Sequence, residues 1–157
     1  MMVSVTGDAS EVAGRPRFAR RRRLYCTNGF YLEIGYNGAV KGTRNKLSQL
    51  AIMEIIPHIK GTIYIRGSHS GFFLAVDKQG KLYTTKLENN ECVFTEKLTP
   101  DFYDTYTCER SNETRMVGVL ARTGAAVSAS QSTLRRSIHG RTQCHTQFLS
   151  QEVYPSA

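Results

Sequence analysis

Tryptophan is absent from this sequence, and cysteine, histidine and proline are scarce at four residues each. Cys26, Cys92, Cys108 and Cys144 are too few and too scattered for a disulfide scaffold, and no Cys-x-x-Cys pair marks a zinc site. Free thiols, buried or partly exposed, are therefore expected. His58, His69, His139 and His145 include no His-x-x-x-His pair and have no Cys or acid beside them at ligand spacing. Cys144 and His145 are neighbours, but alternation along a strand sends neighbours to opposite faces, which is a poor geometry for activating a thiolate. Glycine-rich phosphate loops are missing, and Asp77, Asp101 and Asp104 fit no calcium-loop pattern. With no nucleophile and base, no carboxylate pair and no metal cluster, the sequence predicts a non-enzymatic protein without cofactor or metal. No run approaches the ~20 apolar residues of a membrane span, so membrane insertion is not expected. Residues 1–14 lack the apolar run of a signal peptide, so export would require a removed leader or an unconventional route.

Charge is present, and it is unevenly placed. Of a formal net charge of +8 over 157 residues, six Arg fall within residues 15–23 and five within 115–141, with no acid in either stretch. Residues 24–114 balance ten basic against ten acidic side chains. Such localised fields attract polyanions and release their counterions, which admits nucleic acid, anionic lipid or sulfated glycan as partner classes. Asn112-Glu113-Thr114 is a glycosylation sequon in a polar stretch.

Residues 1–21 show no sustained periodicity and read as a flexible basic tail; 22–152 read as one domain, and 153–157 as a C-terminal tail. From Leu24 onward, short alternating segments rich in Tyr, Phe, Ile, Val and Thr are broken by Gly and Asn, the pattern of strands joined by tight turns. Expected strands include 30–34, 51–56, 62–66, 72–76, 92–97, 102–107 and 117–120. Residues 52–56 resemble one helical turn in composition, but Pro57 and the short length favour a strand. Leu32 to Val40 aligns with Leu74 to Leu82, and Val117 to Gly124 supplies a looser third copy. The turn glycines Gly38, Gly80 and Gly124 are 42 and 44 residues apart. Three units of about four strands are too few for a solenoid or propeller and point to a closed all-β barrel of twelve short strands with pseudo-threefold symmetry, the β-trefoil.

Arg23-Leu24-Tyr25-Cys26-Thr27-Asn28-Gly29-Phe30-Tyr31-Leu32 resembles the opening of the fibroblast growth factor core. Asn37 to Thr43 is similar to that family's Gly-x-Val-x-Gly-Thr turn, and Ile52-Met53-Glu54-Ile55 to its next strand. Phe73-Leu74-Ala75-Val76 with Gly80-Lys81-Leu82-Tyr83, Glu91 to Leu98, and Tyr103-Asp104-Thr105-Tyr106 continue the resemblance in order, over about residues 22–124. The last quarter departs: Ala121 takes the place of a family Lys, Gln143-Cys144-His145 stands for Gln-Lys-Ala, and the segment from Ala125 to Thr142 is longer.

The resemblance implies a secreted, extracellular ligand that binds and activates a receptor tyrosine kinase, with heparan sulfate as co-receptor. It implies a monomer that dimerises only in the receptor–glycan complex and has no nucleic-acid partner. Receptor contacts carried over are Tyr25, Arg44, Glu96, Tyr103 and Leu149, with Tyr25 and Tyr103 close together and Glu96 at the patch edge. The implied glycan site comprises Asn28, Arg122, Thr123 and Gln143; by their charge, Arg135, Arg136 and Arg141 of the longer segment are expected to join it, and the sequon makes Asn112 a candidate glycosylation site. A competing reading is an intracellular trefoil whose Arg20–Arg23 run is a nuclear localisation signal. A lectin-type trefoil is disfavoured by the missing Trp and Gln-x-Trp repeat.

Overall fold

A computed structural model of the chain describes residues 19–130, 134 and 143–154. Thirteen strands lie among them: β1 (Arg20–Cys26), β2 (Tyr31–Ile34), β3 (Val40–Thr43), β4 (Ile52–Pro57), β5 (Thr62–Gly67), β6 (Phe73–Val76), β7 (Leu82–Thr85), β8 (Phe94–Leu98), β9 (Asp104–Arg110), β10 (Glu113–Leu120), β11 (Ala126–Ser130), β12 (Cys144–His145) and β13 (Phe148–Glu152). One more strand is present than the twelve expected. It accompanies the two-residue segment Cys144–His145, which pairs with β10 where Cys144 and His145 oppose Leu120 and Val119.

Pairing closes on itself. β1 pairs with β4, β4 with β5, β5 with β8, β8 with β9, β9 with β13, and β13 returns to β1, all antiparallel. Closure leaves this six-stranded ring without open edges. Hairpins β2–β3, β6–β7 and β10–β11 branch from it at equivalent places, one per repeat. The chain is thus a β-trefoil, nearly all β, as the spacing of the three turn glycines suggests.

Those glycines do more than turn the chain. Gly38, Gly80 and Gly124 have φ of +86°, +88° and +75°, a region that side chains with a Cβ rarely enter. The Gly38 carbonyl accepts from Thr84 Oγ1 on the second hairpin at 2.5 Å. The Gly80 carbonyl accepts from Arg115 Nη1 on the third at 3.2 Å, and the Gly124 carbonyl accepts from the Gly42 amide of the first at 2.6 Å. Each hairpin therefore latches the tip of the preceding one, in a closed cycle of three.

Apolar members of the alternating strands fill the interior. Leu24, Cys26, Leu32, Ile34, Met53, Ile55, Ile65, Leu74, Phe94, Tyr106, Val119 and Phe148 are almost completely buried in one cluster. Residues 52–56 are indeed strand, preceded by a 3-10 turn at Gln49–Ala51. Glu54, only 1% exposed, accepts at Oε1 from both Arg66 Nε at 3.0 Å and Nη2 at 2.6 Å, so the fork of the guanidinium closes on one oxygen of a carboxylate removed from water.

Several expected boundaries shift, among them the start of β10, which is Glu113 where 117 was expected. β8 begins at Phe94 because Asn89 caps a 3-10 turn at Asn90–Cys92, its side chain accepting from the Glu91 amide. β9 begins at Asp104 because Phe102 adopts φ +68° in a turn closed by its own amide donating to the Thr99 carbonyl. The first strand begins at Arg20 instead of residue 22: Arg20 and Arg21 oppose Ile55 and Glu54 in β4. Arg20–Arg23 is accordingly a paired barrel strand, and the localisation-signal reading has no free extended peptide there.

Candidate functional site

Register assembles an aromatic face. Tyr25 opposes Leu149 across β1 and β13, and Asp104 opposes Phe148, so Tyr103 stands beside Leu149 on the outer side of the ring. Leu149 is 44% exposed, and Tyr25 and Tyr103 are partly exposed. The Tyr31 ring lies 4.8 Å from that of Tyr25. Exposed Arg44 stacks its guanidinium over Phe30 at 4.1 Å. A Cβ on Gly29 would stand 2.9 Å from Arg44 Nη1 and 3.9 Å from the Tyr25 hydroxyl, so the guanidinium and phenol share one corner. Tyr25, Tyr103, Leu149 and Arg44 thus form one patch in which large apolar area is rimmed by a planar cation.

Glu96 lies elsewhere. It opposes Tyr106, a buried residue, so its side chain belongs to the inward series of β8, and it pairs with Arg20 at 2.8 Å. Arg20, Arg22, Glu96 and Asp104 continue the inward series of their strands beyond the apolar core, at the end of the ring opposite the hairpins. Burial raises the Asp104 carboxyl above its usual range; Glu96 adds to the rise, and Arg20 and Arg22 oppose it.

A polar corner forms on another side, where the turn between β1 and β2 meets the ends of β10 and β12. Asn28 Nδ2 donates to the Val119 carbonyl at 2.9 Å, fixing the turn against β10. The Ala121 amide donates to the Gln143 carbonyl at 2.8 Å, bringing exposed Gln143 beside the turn that carries exposed Arg122 and Thr123. Asn28, Arg122, Thr123 and Gln143 are therefore brought together. Arg135, Arg136 and Arg141 lie outside the described residues. Asn112, exposed with φ +62°, is at the tip of the two-residue turn joining β9 and β10.

The family model for fibroblast growth factor matches residues 20–141. This chain belongs to the fibroblast growth factor family. Among similar proteins, fibroblast growth factor 7 of Homo sapiens is 42% identical over 87 residues, 55% of this chain and 45% of that protein. Fibroblast growth factor 3 of Gallus gallus is 38% identical over 100 residues, 64% of this chain and 44% of that protein. The chain matches less than half the length of these curated relatives.

Sequence reading overlooked Tyr31 and the pair Thr27–His145. Tyr31 was legible as an aromatic in an alternating strand, but its contact with Tyr25 depends on the tight turn at 27–30 folding β2 back on β1. Thr27 Oγ1 and His145 Nδ1 are 3.0 Å apart across 118 positions of sequence, and nothing local signals that. All four cysteines are free. Burial pushes the Cys144 thiol up to about 11, with a smaller contribution from Cys26, so the Cys144-His145 step carries no activated thiolate.

Proposed function

We propose that this fibroblast growth factor family member acts extracellularly as a signalling ligand. Its outer aromatic face, Tyr25, Tyr103 and Leu149 with Arg44, docks on a receptor tyrosine kinase, while the corner of Asn28, Arg122, Thr123 and Gln143 takes a heparan sulfate chain. The observation that carries this reading is the register that pairs Tyr25 with Leu149 and Asp104 with Phe148, which brings partly exposed Tyr25 and Tyr103 to either side of exposed Leu149 on a closed ring. Large aromatic and aliphatic side chains held on a stiff scaffold lose little entropy on docking and dominate interface energetics. The polar corner joins the Arg122 guanidinium, which can grip sulfate with two parallel hydrogen bonds, to amide and hydroxyl groups. The ligand is a monomer until the glycan and receptor bring two copies together, and Asn112 presents its amide for glycosylation at an exposed turn.

The test is binding to receptor ectodomains by surface plasmon resonance. Tyr25→Ala and Tyr103→Ala are each expected to lose about 2 kcal/mol, roughly thirtyfold in Kd, with melting temperatures near the parent. Parent-like affinity in both variants would overturn the assignment of this face.

A further inference from the structure

His145 stands where the resembling family carries Ala, and the structure gives it a setting suited to an ionic contact. β12 pairs with β10 at Val119↔His145 and Leu120↔Cys144, which fixes the backbone of His145 beside the turn between β1 and β2. Cys26 Sγ donates to the His145 carbonyl at 3.5 Å, a second tether. The ring is tethered too, through the 3.0 Å contact of Nδ1 with Thr27 Oγ1. A hydroxyl both donates and accepts, so Thr27 can donate to a bare Nδ1 or accept from Nδ1–H. The contact therefore survives a change of charge, and in the imidazolium Nε2 is left as an N–H donor.

That ring lines an open depression of about 380 Å³ together with Thr27, Gln143, Cys144 and Gln147. Among the described residues, those around it are Thr27 and Asn28 on the turn, Cys26 on β1, Val119 and Leu120 on β10, Cys144 on β12, Gln143, Thr146 and Gln147 beside β12, and Leu134. None of these is a carboxylate, and burial keeps both thiols in the neutral form. Arg122, on the turn after β10, adds a fixed positive charge to the same corner.

We propose that the Thr27–His145 pair is a proton-dependent subsite for a sulfate group of a sulfated glycan, adding an ionic hydrogen bond to the neighbouring polyanion site as the imidazole takes up a proton. This rests on the polyanion reading of the Asn28–Arg122 corner. Imidazole is the side chain whose ordinary titration falls between pH 5 and 8. By linkage, a sulfate that prefers the imidazolium makes affinity rise as pH falls through the imidazole range and level off below it.

The experiment measures Kd of the whole chain for a heparin hexasaccharide at pH 8.0 and pH 5.5 and equal ionic strength, for the parent, His145→Gln, His145→Lys and Arg122→Ala. The parent should bind about fivefold more tightly at pH 5.5, the scale of one charge-assisted hydrogen bond in partly wet surroundings. His145→Gln should match the parent at pH 8.0 and lose the acid gain. His145→Lys should bind tightly at both values, and Arg122→Ala should weaken both equally while keeping their ratio. Binding at pH 8.0 with a flat pH response, or an acid gain retained in His145→Gln, overturns the subsite alone. Absence of binding at both pH values overturns the polyanion reading and the subsite with it.

Discussion

Gly80→Ala separates two reasons for glycine at a turn. Gly80 and Gly61 have similar positive φ, +88° and +72°, so an added Cβ strains both backbones by about 1 to 2 kcal/mol. Their surroundings differ. A Cβ at Gly61 meets nothing within 4 Å, whereas one at Gly80 overlaps the Arg115 guanidinium. Arg115 would have to move, giving up Nη1 bonds to the Gly80 carbonyl at 3.2 Å and the Ser128 carbonyl at 3.0 Å. Hydrogen bonds to a charged group contribute roughly 1.5 kcal/mol or more each, and water recovers part of them, so Gly80→Ala should lose about 4 kcal/mol in total. At about 4 °C per kcal/mol for a domain of this size, the melting temperature should fall by about 15 °C, against about 5 °C for Gly61→Ala. Urea unfolding of both variants beside the parent gives the free energies directly. Equal losses would refute the three-way latch between hairpins, leaving backbone strain as the whole explanation.

Glu54→Gln should destabilise the fold by about 3 kcal/mol, because it leaves the forked Arg66 guanidinium facing a neutral amide in a buried setting; chemical denaturation measures it. Asp104→Asn should raise the melting temperature at pH 7.5. A carboxyl whose folded pKa is raised opposes folding when ionised, so the gain should fade as pH drops through the carboxylate range, as melts from pH 7.5 to 3 would show. Tyr106→Phe should leave stability unchanged or raise it by about 1 kcal/mol, since the buried Tyr106 hydroxyl has no hydrogen-bond partner among the described residues; a thermal melt decides it. Cys144 should alkylate with iodoacetamide about a hundredfold more slowly than an ordinary thiol at pH 8, given a pKa of about 11 against 9.0 for a free thiol, as mass spectrometry of the time course would reveal.

Alternation and turn chemistry are local, and that made much of the fold readable. Leu32–Ile34, Leu74–Val76 and their turn glycines announce three hairpins, because period two and positive φ are imposed by neighbours in the chain. Phe102 shows where local reasoning fails: an aromatic beside Tyr103 looks like strand, yet the Thr99 carbonyl captures its amide and turns the backbone. Arg20 and Arg21 read as tail because residues 1–21 show no sustained periodicity, and only the partners across β4 and the carboxylate of Glu96 show otherwise.

The sequence by itself determined the strand-and-turn pattern, the threefold repeat, the family resemblance and the concentration of positive charge at two places. Tertiary structure alone decided which faces those strands present. Whether Tyr25 is core or surface follows from its register with Leu149, and the barrel's closure sets Tyr103, just ahead of β9, beside Leu149. The same closure turns Glu96 inward to Arg20 and carries His145 to Thr27. Pairing between distant strands fixes these contacts, and a one-residue change of register would send every one of those side chains to the opposite face.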